Sequence, residues 1–223
     1  MGDLYIVATP IGNLEDMTFR AVEILKNVDI IACEDTRQSK KLLNHYGIGK
    51  HLISCRARNE VNSSAGIMKL LEEGKNIAYI SDAGSPGISD PGSILVRSAR
   101  DHGFNTIPIP GASAQTALAS VSGFKGKSVL FEGFLAQKSG KRKKRLRELL
   151  DREEAFIVYE SPYRIEKLMT ELTELEPDRI LLIGREMTKI HEQYVEGNSK
   201  TILEMLGKEV TIKGEFAILV SGK

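Results

Sequence analysis

The sequence of 223 residues contains no tryptophan, only two cysteines and only four histidines. Cys33 and Cys55 lie far apart and outside any Cys-x-x-Cys pattern, which predicts free thiols in a reducing compartment. The histidines are scattered without the spacing of metal ligands, so we expect no bound metal ion.

Long apolar runs and a strong net charge are also absent. No run approaches the roughly 20 apolar residues that span a bilayer, and the N-terminal MGDLYIVATP lacks the charged and apolar regions of a secretion signal. We therefore expect a cytoplasmic protein that contacts no membrane. The formal net charge is +1, so contact with nucleic acid would require a local basic surface.

The patterns that are present predict an α/β fold. Strands predicted at 4–8, 29–33, 51–55, 77–80 and 106–109 alternate with helices, which is typical of a parallel five-stranded sheet. Thr18 is the predicted N-cap of the first helix, in competition with Asp16. After about residue 115 the alternation is less regular and predicts a mixed sheet, with 187–197 as a polar segment between elements. We expect two α/β domains, residues 1–115 and 116–223.

Residues 77–92, IAYISDAGSPGISDPG, combine a buried strand with a glycine-rich loop before the next helix. Such loops form ligand crevices at the carboxyl ends of parallel strands. This loop has carboxylates and hydroxyls but no Lys or Arg, so it suits a cationic, hydroxyl-bearing ligand such as S-adenosylmethionine better than a phosphate. A rigid surface connector is the alternative. Gly126-Lys127-Ser128 is no phosphate loop, because position 121 is valine and a helix precedes it.

A dense basic run occupies the start of a predicted helix. Its members are Lys138, Lys141, Arg142, Lys143, Lys144, Arg145 and Arg147. Such a run can neutralise several RNA phosphates, although a solvated helix balanced by its later acidic residues remains the alternative. No aromatic residues are interleaved, so base stacking would depend on residues elsewhere, such as Tyr159 or Tyr163.

Charged side chains also follow several predicted strands, where a cleft-facing group can act on a substrate. They are Glu34, Asp35 and Arg37, then Glu160 and Arg164, then Arg185, Glu186 and Lys189. Each group has a purely structural alternative. Glu34 with Arg37, or Glu160 with Arg164, can form a salt bridge at the start of the next helix, and Arg185 with Glu186 can contact a dimer partner. No general base is singled out.

Eight segments taken together resemble one family. They are LYIVATPIGNLEDMTFRA, ACEDTR with KLLNHYGI, SDAGSPGISDPG, PGASA, FEGF, YESPYRI, REMTKIHE and KGEF. In this order they resemble the bacterial 16S ribosomal RNA (cytidine-2′-O-)-methyltransferases, a branch of the tetrapyrrole methylase superfamily, over nearly the full chain. Ala83-Gly84-Ser85-Pro86 replaces the Gly-Gly-Asp-Pro pattern of tetrapyrrole-acting members, and the first loop is less glycine-rich. Both departures point away from a porphyrin-like substrate.

The resemblance implies a homodimer that binds S-adenosylmethionine in a cleft between the two domains. It implies methyl transfer to a cytidine 2′-hydroxyl of 16S ribosomal RNA, free or in the small subunit. The implied cofactor residues are Pro10, Asp82, Gly84, Ser85, Ile88, Ser113, Ala114, Gly133, Met187 and Gly214. The candidate catalytic residues are Glu34, Asp35, Arg37 and Glu186. The candidate RNA-binding residues are Lys141, Arg142, Lys143, Lys144, Arg145, Arg164 and Lys189.

Two other hypotheses remain open at this point. One is a methyltransferase acting on a small tetrapyrrole, which would need a roomy apolar cleft and no basic run. The other is a non-catalytic RNA-binding or ribosome-assembly module, which would bind RNA without depending on a cofactor.

Overall fold

The computed structural model describes all 223 residues, which divide into two compact units, Met1–Ser113 and Ala114–Lys223. The boundary predicted from the sequence was residue 115.

The first unit is a parallel sheet with helices on both faces. Its strands are β1 (Leu4–Val7), β2 (Ile30–Cys33), β3 (His51–Ser54), β4 (Ile77–Ile80) and β5 (Thr106–Ile109). Its helices are α1 (Phe19–Asn27), α2 (Thr36–His45), α3 (Glu60–Glu72) and α4 (Ser93–Asp101), with 3₁₀ turns at Leu14–Asp16 and Ala57–Asn59. The strand order is β3-β2-β4-β1-β5, and every neighbouring pair is parallel. The predicted parallel five-stranded sheet is confirmed.

Helices cover both faces of this sheet, which explains why β4 is apolar throughout. All four residues of β4 are buried, as expected for a strand with no solvated face. On one face Ala21 and Leu25 of α1 pack with Leu43 of α2. On the other, Ile67 of α3 packs with Leu95 of α4. The two faces therefore have separate cores.

Helix α1 begins where the sequence predicts. The Thr18 hydroxyl accepts a hydrogen bond from the amide of Ala21 at 3.1 Å, which confirms Thr18 as the N-cap. This bond satisfies one of the amides left without a partner at a helix start.

The connections of this sheet diverge between β2 and β4. The chain leaves β2 through α2 toward β3, and it leaves β4 through α4 toward β5 on the opposite face and in the opposite direction. Because β2 and β4 are neighbours, their carboxyl ends form the topological switch point of the sheet, which is where open α/β sheets bind ligands. The segments that begin at Glu34 and Ser81 flank this position.

The second unit contains a mixed sheet. Its strands are β6 (Val129–Phe134), β7 (Ala155–Glu160), β8 (Ile180–Arg185), β9 (Gln193–Asn198) and β10 (Phe216–Val220). Its helices are α5 (Ala114–Val121), α6 (Ser139–Leu150), α7 (Ile165–Leu175) and α8 (Ser199–Met205). The order is β6-β7-β10-β8-β9, with β6 and β7 parallel and the other pairs antiparallel, which confirms the predicted mixed sheet.

Strand β9 was not predicted, because 187–197 was expected only to be a polar segment between elements. Its residues are mostly polar, and it lies at the edge of the sheet, paired with β8 alone. An edge strand that buries little apolar surface lacks the alternation by which a strand is recognised in sequence. The structure also contains no helix with the length and apolar character needed to cross a membrane.

Candidate functional site

The loop after β4 is fastened to the loop after β1. The amide of Thr9 donates to the carbonyl of Gly84 at 2.8 Å, and the amide of Gly84 donates to the carbonyl of Thr9 at 3.0 Å. The Thr9 hydroxyl donates to the carbonyl of Ser81 at 3.2 Å. Gly84 has a φ of +76°, a conformation that favours glycine. Pro10 therefore lies beside the glycine-rich loop.

The loop after β5 joins the same rim. The Ser85 hydroxyl donates to the carbonyl of Ala112 at 3.4 Å. A Cβ at Gly111 would lie 2.9 Å from that of Ala8, so this loop also approaches β1 closely. The structure thus brings Pro10, Gly84, Ser85 and Ser113 of the predicted cofactor set to one edge of the sheet. Ile88 lies exposed in the same loop as Ser85, and Ala114 begins α5.

The chemistry of this rim fits the predicted cofactor. The three loops, 8–13, 81–92 and 110–113, contain no Lys or Arg, and they present the Asp82 carboxylate, serine hydroxyls and backbone groups. A sulfonium, an ammonium group and a ribose diol can all be bound by such groups, whereas a phosphate would meet negative charge. The residues therefore suit S-adenosylmethionine.

Carboxylates converge where the chain diverges between β2 and β4. The amide of Asp35 donates to Asp82 Oδ1 at 3.2 Å, which links the segments after the two strands. Burial, followed by the charges of Glu34 and Asp82, raises the pKa of Asp90 to about 6. Burial and neighbouring carboxylates also raise the pKa of Glu34. Asp90 can therefore exchange a proton near neutral pH.

Asp35 and Arg37 form a local ion pair at the start of α2. Asp35 accepts from the Arg37 side chain at 3.1 and 2.7 Å and from its amide at 2.9 Å. These bonds hold the pKa of the Asp35 carboxyl well below its usual range. The salt bridge predicted as the structural alternative, between Glu34 and Arg37, is therefore absent, and Arg37 pairs with Asp35. Glu34 forms no ion pair.

Glu60 is a residue of this site that the sequence did not reveal. Its Oε1 accepts from the amides of Gly92 and Ile94 at 2.9 Å and from that of Leu95 at 3.1 Å. The residue is 5% exposed. It lies on α3 yet anchors the start of α4 and the end of the loop that carries Asp82 and Asp90. Nothing in the local sequence distinguishes it from an ordinary helical glutamate.

In the second unit, the Glu186 carboxylate is hydrogen-bonded to neighbouring residues of the same unit. Its Oε1 accepts from Lys189 Nζ at 2.8 Å and from the amide of Glu215 at 2.9 Å. Burial raises the pKa of Glu186, but these bonds and nearby cations outweigh burial, so its pKa is lowered overall. A side chain at Gly214 would overlap that of Glu186. Glu186, Lys189 and Gly214, each predicted to have a different role, therefore form one cluster.

Two other predicted cofactor residues lie at strand ends of this unit. Met187 is buried two residues after the end of β8, and a Cβ at Gly184 would lie 2.6 Å from its sulfur. Gly133 has a φ of +72° and follows a register shift in the pairing of β6 with β7. Position 184 requires glycine because of this close packing, and position 133 favours glycine because of its positive φ.

The basic run separates into buried and exposed cations. The Arg142 side chain is 5% exposed. It donates to both oxygens of Glu171, at 2.7 and 2.8 Å, and to the carbonyls of Ala136 and Gln137. Four of the five N–H donors of this buried guanidinium are bonded within the unit, so it is not available to a phosphate at the surface. Arg142 thus leaves the predicted RNA-binding set.

Three further cations of that set are paired with carboxylates. Arg145 binds Glu132 and Glu148, and Lys143 binds Glu174. Arg164 lies 3.0 Å from Glu160, as its structural alternative predicted. The cations of the run that are exposed and form no ion pair are Lys138, Lys141, Lys144 and Arg147.

Comparison with known proteins places the chain among methyltransferases. The family model described as tetrapyrrole (corrin/porphyrin) methylases matches residues 3–203. The solved structure of a uroporphyrin III C-methyl transferase from Thermus thermophilus has a TM-score of 0.71 at 15% identity, covering 99% of this chain and 97% of that chain. One from the same organism, complexed with S-adenyl homocysteine, has a TM-score of 0.67 at 18% identity, covering 98% and 97%. These structures show the shared fold.

Curated relatives are more similar in sequence. A protein from Borrelia garinii subsp. bavariensis, named ribosomal RNA small subunit methyltransferase I, is 48% identical, with 98% of each chain covered. A protein of the same name from Thermotoga maritima is 44% identical, with 100% of each chain covered. The chain therefore belongs to the tetrapyrrole methylase family, within the group of ribosomal RNA small subunit methyltransferase I proteins.

Proposed function

We propose that this protein uses S-adenosylmethionine to methylate the 2′-hydroxyl of a cytidine ribose in 16S ribosomal RNA. The observation that carries the proposal is full-length identity of 44–48% to relatives named for methylation of small-subunit ribosomal RNA. The proposal includes a cytoplasmic homodimer, because the substrate is made there and the resemblance implies that assembly.

When bound, S-adenosylmethionine supplies a methyl group on a cationic sulfur, which is a good leaving group. We assign its binding to the rim of the first unit, through Pro10, Asp82, Gly84, Ser85, Ile88, Ser113 and Ala114. Gly133, Met187 and Gly214 of the second unit are included in the proposal on the resemblance alone. The rim supports this assignment because it combines a carboxylate and hydroxyls with no basic side chain.

A ribose hydroxyl is a weak nucleophile, so a proton acceptor should add about 10²- to 10⁴-fold to the rate. Asp90 is one candidate, because it lies half-buried in the loop after β4, where burial and the charges of Glu34 and Asp82 raise its pKa to about 6. Glu34 is the second candidate, since it forms no ion pair. Asp35, Arg37 and Glu186 are already paired, so we assign them to holding the segments after their strands.

The proposed RNA surface uses the exposed cations of the run. These are Lys138, Lys141, Lys144 and Arg147, with Lys143 and Arg145 contributing only after release from their carboxylates. On α6 the positions 141, 144 and 147 share one solvent-facing side, while Leu146 and Leu149 face the core. Phosphates contacted there would orient the strand without reading its sequence.

The direct test measures transfer of labelled methyl groups. Purified protein is incubated with labelled S-adenosylmethionine and either free 16S RNA or small-subunit particles, and the digested nucleosides are separated. We expect label in 2′-O-methylcytidine. Label on a base, or none on RNA, would refute the proposed function. Label on a tetrapyrrole would favour the small-molecule alternative, and RNA binding without calorimetric binding of the cofactor would favour the non-catalytic module.

A second test separates RNA contact from cofactor contact. Replacing Lys141, Lys144 and Arg147 by Ala should weaken RNA binding and reduce the slope of log affinity against log salt by about 0.7 per lost contact. The matched control replaces Lys200 and Lys208, which are exposed in the same unit. Cofactor affinity should not change in either variant. Equal loss of RNA binding in both would contradict the assigned surface.

A further inference from the structure

Two aromatic rings are exposed where β6 and β7 end. Phe134, the last residue of β6, is 59% exposed, and Tyr163, in the turn after β7, is 90% exposed. The strands are parallel neighbours, so their carboxyl ends meet at one edge of the sheet. Arg164 Nη2 donates to the carbonyl of Leu135 at 2.8 Å, which ties the turn carrying Tyr163 to the chain just after Phe134. Both rings therefore belong to one surface.

The ring of Phe134 is held in place from one side. It packs edge-on against Tyr159 with a centroid separation of 5.7 Å, and Tyr159 also packs against Phe131 at 5.0 Å. The Tyr159 hydroxyl accepts from the amide of Gln115 at 3.0 Å. A ring supported in this way loses little freedom when another flat group stacks on it. Its exposure contributes nothing to the core, which points to a partner outside the unit.

Two unpaired cations lie close in sequence to Phe134. Lys138 follows Phe134 by four residues and Lys141 lies in the first turn of α6, and both are exposed and form no ion pair. Glu160, at the end of β7, is buried against Arg164, whereas Glu166 in the first turn of α7 is exposed. Aromatic faces next to unpaired cations are the combination that binds single-stranded RNA, with bases on the rings and phosphates at the cations.

We propose that Phe134 and Tyr163 form a stacking surface for unpaired bases of the RNA substrate, with Lys138 and Lys141 binding the adjoining phosphates. The proposal rests on the proposed function and deepens it. It means that the protein takes its target strand in a single-stranded form, because a base in a duplex has no free face to offer the rings. It also supplies the aromatic contacts that the basic run itself lacks.

The test measures binding of a labelled single-stranded RNA of about 12 nucleotides by fluorescence anisotropy. F134A and Y163A should each weaken binding by roughly 5- to 150-fold, the range for loss of one stacked base. F134Y and Y163F, which keep the rings, should bind nearly as well as the unchanged protein. The slope of affinity against salt should stay the same, because no cation is removed.

The matched control is F19A, since Phe19 is 94% exposed on α1 in the first unit. It should leave RNA affinity unchanged. Retained affinity in both F134A and Y163A would overturn the stacking surface, and so would a change of oligomeric state in either, which would make the rings a contact between copies of the chain. If the unchanged protein methylates RNA and F134A and Y163A bind RNA with its affinity, the stacking surface is refuted but the proposed function is not. If the unchanged protein transfers no methyl group to RNA, the proposed function fails.

Discussion

Replacing Glu60 should loosen the loop that carries Asp82 and Asp90. In E60A three backbone amides lose their shared acceptor, two of them in buried bonds. Each donor left without a partner costs about 1–1.5 kcal/mol, so we expect the free energy of unfolding of the first unit to fall by about 3–5 kcal/mol. E60Q retains a carbonyl oxygen but loses the negative charge at the start of α4, which should cost about 1–2 kcal/mol.

Two measurements check this expectation. Urea unfolding monitored by circular dichroism gives the free energy, with E72A as the control because Glu72 is exposed on the same helix. Since the two units need not unfold together, amide hydrogen exchange should also localise the loss to residues 92–95. Cofactor affinity should fall in E60Q and should fall further in E60A.

Three results would contradict the role assigned to Glu60. If E60A lost less than about 1 kcal/mol, or if exchange at Ile94 and Leu95 stayed slow, the carboxylate would not hold this loop. Equal losses in E60A and E60Q would mean that the charge, not the acceptor geometry, supplies the stabilisation.

Three further predictions concern stability. The pKa of Asp90 is raised to about 6 from 3.8, so its ionised form destabilises the fold above about pH 6. D90N should therefore raise the free energy of unfolding by about 1–2 kcal/mol at pH 8, after allowance for partial exposure. Urea titrations should show that this gain vanishes below about pH 4. R142A should lower the free energy of unfolding by about 3–5 kcal/mol, because Glu171 is left buried without its partner. The double variant R142M with E171M should recover most of this loss. Equal losses in the single and double variants would contradict a buried ion pair. G214A should lower the melting temperature, because φ is +88° there and the new Cβ overlaps Glu186, and adding E186A should restore part of it.

The strands of the first unit were predictable from local pattern. Their apolar runs are short, bounded by turn residues and separated by helices, because a sheet covered on both faces needs no polar alternation. Thr18 was predictable as a cap for the same local reason. Strand β9 was missed because an edge strand gains its order from pairing with β8 and not from its own composition.

The candidate site was predictable in part. The rim loops stand out by composition, and the resemblance assigned them to a cofactor. The division of the basic run into buried and exposed cations was not predictable, because the sequence shows seven similar cations. Only packing decides that Arg142 pairs with Glu171, which lies 29 positions away in the chain. Glu60 was invisible for the same reason, since its three partners lie 32–35 positions away.

The sequence by itself determined which segments form strands and helices, that two α/β units follow one another, and that the loop after β4 carries acid and hydroxyl groups without a cation. Those properties depend on neighbours along the chain. Only the tertiary structure decided that β2 and β4 adjoin, that Asp90 is half-buried near other carboxylates, and which charges are paired. The physical reason is that burial and ion pairing depend on residues brought together across long stretches of chain, which local composition does not encode.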